Sequence, residues 1–137
     1  MVTSEEIREK FTEFQTIQQQ LEQINQHLEQ LQEQLSELEI SINAIETIAE
    51  TPLQNEFLAP IANGIFVKAE LANNNTLIVN VGSNVTVEKS IPETVELLKQ
   101  QQIEISQKAQ EATMVIQELS AYAQRLYQEV EQHVSKE

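Results

Sequence analysis

Apolar residues recur every seven positions along the first third of the chain. One series is Ile7, Phe14, Leu21, Leu28, Leu35, Ile42 and Ala49, and a second is Ile17, Ile24, Leu31, Leu38 and Ile45. Such a repeat of a and d positions predicts an α-helix that forms a coiled coil. Because Thr3 and Glu6 have the spacing of a capping box and Pro52 disfavours a helical residue before it, we expect the helix to span residues 4–49. Lys10 interrupts the second series, and Phe11 offers the nearest apolar side chain.

A second seven-residue repeat occupies residues 90–134. Its a positions are Val95, Gln102, Ala109, Ile116, Ala123 and Val130, and its d positions are Leu98, Ile105, Ala112, Leu119, Leu126 and His133. Ser90 and Glu93 form another capping-box pattern, with Pro92 in the first turn. Each repeat covers about 45 residues, or ~67 Å of helix. Their equal lengths predict one antiparallel intramolecular hairpin, in which the numbers of contacting residues add up to roughly 140.

The segment between the two helices has the period of two that is typical of β-strands. Residues 65–71 and 85–88 alternate apolar and polar side chains, residues 76–81 alternate less cleanly, and residues 57–61 form a further apolar run. Turn signals at Asn63-Gly64, Asn73-Asn74-Asn75 and Gly82-Ser83-Asn84 separate these runs, so residues 54–89 predict two β-hairpins. The fold class is therefore α+β. A sheet of about 35 residues buries too little apolar surface alone, so we expect the strands to assemble with other subunits.

Composition and charge exclude several classes of function. The 137 residues suit a single domain, and 22 Glu against eight Lys and Arg give a net charge of −14, which disfavours binding to nucleic acid. The chain lacks Cys and Asp, which excludes thiol nucleophiles and cysteine zinc sites. Residues 1–6 are acidic rather than basic and apolar, and no apolar run approaches the ~20 residues that span a bilayer. We therefore expect a cytoplasmic protein.

The hairpin segment carries a resemblance to a known family. Residues 58–71, with the sequence LAPIANGIFVKAEL, and the stretches Val79-Asn80-Val81-Gly82 and Val87-Glu88-Lys89 closely resemble archaeal prefoldin, and the presence of two hairpins favours its alpha subunit. The resemblance covers essentially the whole chain. It implies an ATP-independent chaperone subunit in a hexamer of two alpha and four beta subunits. In that family the hairpins form a β-barrel platform, and the coiled coils hold non-native client proteins at their tips and deliver them to a group II chaperonin, without any cofactor.

The predicted client-binding residues lie at the free end of the coiled coil. They are Ile7, Phe11 and Phe14 on the first helix and Leu126, Tyr127, Val130 and Val134 on the second. The end of a coiled coil frays, and exposed apolar groups there can hold unfolded chains by non-directional contact. The alternative for Ile7, Phe14, Leu126 and Val130 is ordinary coiled-coil core. Phe11 and Tyr127 occupy e positions at the edge of the seam and are the better candidates for client contact.

The predicted assembly residues lie on the strands. They are Ile65, Phe66, Val67, Leu77, Ile78, Val79, Val81, Val85 and Val87. Burial in an intersubunit barrel is the role that the resemblance implies for them. For Phe66 and Ile78, packing against the roots of the helices is the alternative.

Other functions have weaker support. On the antiparallel arrangement His27 and His133 are roughly 30 Å apart, so we expect no metal site. The glutamates fall on outward helix positions with no cleft to raise a pKa, so we expect no enzymatic activity. A structural coiled-coil adaptor with a β assembly module remains the alternative to the chaperone subunit. It predicts one folded partner rather than many unfolded clients.

Overall fold

The computed structural model describes residues 3–135, and side chains for residues 3–132. The elements are, in order, α1 Ser4–Glu50, β1 Glu56–Ala62, β2 Ile65–Glu70, β3 Thr76–Gly82, β4 Val85–Ser90 and α2 Ile91–Ser135. Every boundary lies within two residues of the sequence expectation. Two long helices joined through two β-hairpins confirm the predicted α+β fold.

Local hydrogen bonds begin each helix where the sequence predicts. At the start of α1, the N–H of Glu6 donates to Thr3 Oγ1 at 3.2 Å, and the N–H of Thr3 donates to Glu6 Oε2 at 3.4 Å. This reciprocal pair is a complete capping box. At the start of α2, the N–H of Glu93 donates to Ser90 Oγ at 3.2 Å. The buried Thr94 hydroxyl donates to the Ser90 carbonyl at 2.9 Å, so the strand-to-helix junction is also hydrogen-bonded.

Packing divides the described residues into two compact units. The first contains α1 as far as Leu35 together with α2 from Glu104 onward. The second runs from Ser36 to Ile103 and contains the end of α1, both hairpins and the start of α2.

The first unit has a core made of heptad positions. Ile17, Ala123 and Leu126 are at most 5% exposed, and Phe14, Leu21, Leu119 and Tyr122 pack against them. Lys10 contacts Glu129, and Phe14 contacts Tyr127. The residue numbers of these pairs add up to about 140, as expected for antiparallel neighbours. The small Ala123 side chain is buried in the same cluster as Ile17.

The second unit contains the roots of the two helices, which are the end of α1 and the start of α2 next to the hairpins. Ile42, Ile91 and Thr94 are buried there, at 4–6% exposure. The Gln102 side-chain amide donates to Glu39 Oε2 at 3.0 Å, which joins α2 to α1. Gln102 is the polar a position of the second repeat, and this hydrogen bond explains how the seam accommodates it.

The strands form two separate antiparallel hairpins. β1 pairs with β2 from Glu56–Glu70 to Pro60–Phe66, and β3 pairs with β4 from Thr76–Ser90 to Asn80–Thr86. The register shifts by one residue before each turn, as at a β-bulge. Ser83 and Asn84 both have positive φ, 50° and 62°, as a type I′ turn requires. Within residues 3–135, neither hairpin pairs with a third strand.

Candidate functional site

An open apolar groove lies between the first turns of α1 and the last turns of α2. Phe11, Phe14, Tyr127 and Val130 line it together with Glu131, and its volume is about 230 Å³. The rings of Phe14 and Tyr127 meet with their centroids 5.9 Å apart and an interplanar angle of 40°. Phe11 is 50% exposed and Tyr127 is 54% exposed. We call these five residues the tip groove.

Lys10 occupies the seam position next to Phe11. Its ammonium nitrogen lies 2.6 Å from Glu129 Oε2, and its side chain is only 31% exposed. Successive helical residues differ in direction by about 100°, so Phe11 points away from the seam and into the groove. The sequence suggested that Phe11 supplies the apolar group that Lys10 lacks. The ion pair to α2 holds Lys10 in that position instead.

A second polar contact joins the helices beside the groove. The Tyr122 hydroxyl donates to Glu13 Oε1 at 2.6 Å. This hydrogen bond to a carboxylate raises the pKa of Tyr122 above its ordinary value of 10.0. The Arg125 guanidinium carbon lies 5.6 Å from the centroid of the Tyr122 ring, a distance suited to a cation–π contact. The hydrogen bond between Tyr122 and Glu13 joins α2 to α1 beside the apolar core, and the Arg125 contact lies within α2.

Four of the seven residues predicted for client contact line the groove: Phe11, Phe14, Tyr127 and Val130. Ile7 is half-buried and stands outside the groove lining. Leu126 is only 4% exposed and belongs to the buried core of the first unit. Val134 lies outside the side chains that the structure describes.

The strand residues predicted for assembly are largely exposed in the single chain. These exposed residues are Ile65, Phe66, Val67, Ile78, Val81, Val85 and Val87. Leu77 and Val79 are half-buried. Phe66 is 54% exposed and Ile78 is 71% exposed, so neither is covered by the roots of the helices.

Three more exposed apolar side chains lie on β1 and were not among the predicted assembly residues. They are Phe57, Leu58 and Ile61. The signal for them was the apolar run 57–61, which has no alternation and therefore places apolar groups on both faces of the hairpin.

Neither a cluster of candidate metal ligands nor a membrane-spanning helix is found in the part of the chain that the structure describes. No group of three or more His, Cys, Asp or Glu side chains in that part is arranged to hold a metal ion. No helix among the same residues is both long and apolar enough to cross a membrane.

Comparison with known proteins identifies the family. A family model described as "Prefoldin subunit" matches residues 17–136. The chain belongs to the prefoldin family. It is 26% identical to the prefoldin subunit alpha of Archaeoglobus fulgidus over 137 residues, which is all of both chains. It is 30% identical over 95 residues to prefoldin subunit alpha 1 of Methanocaldococcus jannaschii, a match that covers 69% of this chain and 66% of the other. These matches confirm the resemblance to archaeal alpha subunits.

A solved structure has the same fold. The chain superposes with a TM-score of 0.74 on a chain from the cryo-EM structure of filamentous PFD from Methanocaldococcus jannaschii. The match covers 84% of this chain and 95% of the other, at 17% sequence identity. Two long helices flanking β-hairpins are therefore a known prefoldin arrangement.

Family membership assigns a general role. The chain is a chaperone subunit, as its sequence predicted, and the adaptor alternative is not favoured. Prefoldins are chaperone subunits rather than enzymes.

Proposed function

We propose that this prefoldin subunit is the alpha subunit of an ATP-independent chaperone that holds non-native proteins in its tip groove. In this proposal two alpha and four beta subunits form a cytoplasmic hexamer through their hairpins. The hexamer then transfers its clients to a group II chaperonin. Residues 1–137 act as one prefoldin-type domain in this assembly.

The tip groove is the observation that carries the proposal. It presents two half-exposed aromatic side chains, Phe11 and Tyr127, on a wall of further apolar groups. Apolar contact is non-directional and suits clients that have no single structure. Burial of one large apolar side chain contributes about 1.5–3 kcal/mol before ordering costs. A single groove is therefore a weak site, and several grooves in one hexamer bind a client more tightly through multivalency.

The exposed strands support the assembly half of the proposal. An isolated two-stranded hairpin is marginally stable in water, and here both hairpins expose large apolar side chains. Strands of other subunits bury these side chains in a shared barrel. The net charge of −14 helps to keep a protein with exposed apolar groups soluble.

The decisive experiment measures suppression of client aggregation. The chain is assembled with a beta-type prefoldin subunit, and light scattering follows a chemically denatured client after dilution. We expect the double variant Phe11→Ser, Tyr127→Ser to lose most of the suppression because both exposed aromatic groups are gone. The matched control is Ile40→Ser, which removes an apolar side chain that is 68% exposed outside the groove.

The mass of each complex is measured in parallel, so that a loss of assembly is recognised. Full suppression by the double variant in an intact complex would show that clients bind elsewhere. Equal losses in the double variant and in Ile40→Ser would show that any exposed apolar group serves, and the groove would have no special role.

A further inference from the structure

The size of the tip groove limits what fills it. Its volume of about 230 Å³ is below the roughly 300–1,000 Å³ of pockets that enclose small molecules. A groove of this size accommodates one or two side chains of a polypeptide rather than a whole small molecule. The chemistry of its lining then determines which side chains fit best.

Glu131 is the charged residue in that lining, beside four apolar and aromatic residues. It follows Tyr127 by four positions on α2, and residues four apart are neighbours on one face of a helix. Glu131 is exposed. Within residues 3–132, no ion pair or hydrogen bond engages its side chain. The groove therefore combines apolar walls with one uncompensated carboxylate.

Cations at this end of the coiled coil are engaged elsewhere or stand outside the groove. Lys10 pairs with Glu129, and Arg125 lies over the ring of Tyr122. Arg8 is exposed and is absent from the groove lining. A ligand that brings its own cation therefore meets no competing ion pair at the carboxylate in the groove.

The aromatic walls favour a cation as well. Rings such as those of Phe11 and Tyr127 attract a Lys or Arg head that comes within about 6 Å of the ring centroid. The stems of Lys and Arg are apolar and cover apolar surface while the charged head stays in water. An acidic segment gains only the apolar contact, and it is repelled by Glu131 and by the net charge of −14.

We propose that the tip groove selects segments of unfolded clients in which a large apolar side chain stands next to Lys or Arg, with Glu131 as the specificity-determining residue. The apolar side chain packs against Phe11, Phe14 and Val130, and the cation pairs with Glu131 beside the Tyr127 ring. This selection rests on the proposed holding activity and adds the class of client segment that the groove prefers. Because it acts through an exposed ion pair and a cation–π contact, the preference is modest and is screened by salt.

The test is the binding of three labelled peptides to the purified full chain, followed by fluorescence anisotropy at physiological ionic strength. The peptides are unstructured and equal in length, share a central pair of Leu and Phe, and differ only in the flanking residues, which are Lys, Gln or Glu. We expect the Lys peptide to bind about threefold more tightly than the Gln peptide, and the Glu peptide to bind most weakly. High salt should bring the three dissociation constants together.

Glu131→Gln isolates the effect of the carboxylate because it keeps the size of the side chain. We expect it to reduce the preference for the Lys peptide to less than about twofold and to leave binding of the Gln peptide unchanged. The matched control is Glu111→Gln, which makes the same change in net charge at an exposed position about 30 Å away along α2. Since that distance exceeds the Debye length of about 8 Å, the control should retain the preference.

Equal binding of the three peptides by the wild type overturns the selection and leaves the holding activity in place, since the groove then accepts apolar segments of any charge. A full preference in Glu131→Gln, or the same loss in Glu131→Gln and Glu111→Gln, overturns the role of Glu131. Failure of the holding activity gives a different result. The double variant Phe11→Ser, Tyr127→Ser then binds all three peptides as tightly as the wild type, and both proposals are overturned.

Discussion

Replacement of Lys10 by Leu tests how the seam between the helices is stabilised. Lys10 occupies a d position, where the repeat calls for an apolar side chain, and its side chain is about two-thirds covered. Full burial of a Leu side chain contributes about 1.5–3 kcal/mol, so two-thirds coverage gives about 1–2 kcal/mol. The Lys stem already buries some apolar surface, which reduces this gain.

The substitution also removes the ion pair with Glu129, whose side chain is 51% exposed. Exposed ion pairs contribute about 0–1 kcal/mol. The apolar gain that remains still exceeds the loss, and we expect Lys10→Leu to stabilise the end of the coiled coil by up to about 1 kcal/mol. Lys10→Gln removes the ion pair without the apolar gain, and we expect it to destabilise the same end by less than about 1 kcal/mol.

Amide hydrogen exchange measures the change in local stability at the end of the coiled coil. A stabilisation of 1 kcal/mol slows exchange through local opening about fivefold. We expect this slowing for the amides in the first turns of α1. The control is Arg8→Leu, which removes a cation from an exposed position in the same turn and should leave exchange unchanged. Faster exchange in Lys10→Leu than in the wild type would show that the ion pair outweighs apolar burial and would refute the reasoning.

Three further predictions concern other parts of the chain. Leu126→Ala should lower the free energy of unfolding by about 2–4 kcal/mol, measured by urea denaturation, because Leu126 is buried in the core of the first unit. The raised pKa of Tyr122 means that its hydrogen bond to Glu13 is fully present below pH 10 and is lost as pH rises through the higher folded-state value. Melting temperature should therefore fall more steeply above pH 10 in the wild type than in Tyr122→Phe. Gly82→Ala should destabilise the chain by about 1–3 kcal/mol because φ is +124°, and more than Gly64→Ala, where φ is +75°, in thermal unfolding.

The periodic parts of the fold could be predicted from sequence because they depend on local spacing. The repeats, the caps and the β alternation each follow from residues a few positions apart. Thr3 with Glu6 and Ser90 with Glu93 needed only a spacing of three to predict both helix starts, and the hydrogen bonds are present.

Positions that depend on the partner helix were harder to predict. Phe11 and Lys10 differ by one residue, and the pairing with α2 places Lys10, in contact with Glu129, in the seam while Phe11 stays 50% exposed. In the same way, the sequence left Leu126 open between the tip and the core, and the structure buries it with Ile17 and Ala123 while Tyr127 stays 54% exposed. The direction of each side chain depends on the register between the helices, which a single repeat leaves uncertain by several residues.

The strands show the same limit. Alternation predicted their existence but not their exact register, which shifts by one residue at the bulge after Pro60. The register depends on the pairing of both strands and on the geometry of the turn between them.

The most direct test of the central claim is photo-crosslinking from the tip groove. A photoreactive phenylalanine analogue replaces Phe11 in the assembled chaperone, and a second preparation carries it at Ile40, which is exposed outside the groove. Both are irradiated with a denatured client and with the same protein in its folded state. The account predicts adducts from position 11 with the denatured client only, and few from position 40. Equal yields from the two positions, or no adduct from position 11 while aggregation is still suppressed, would contradict it.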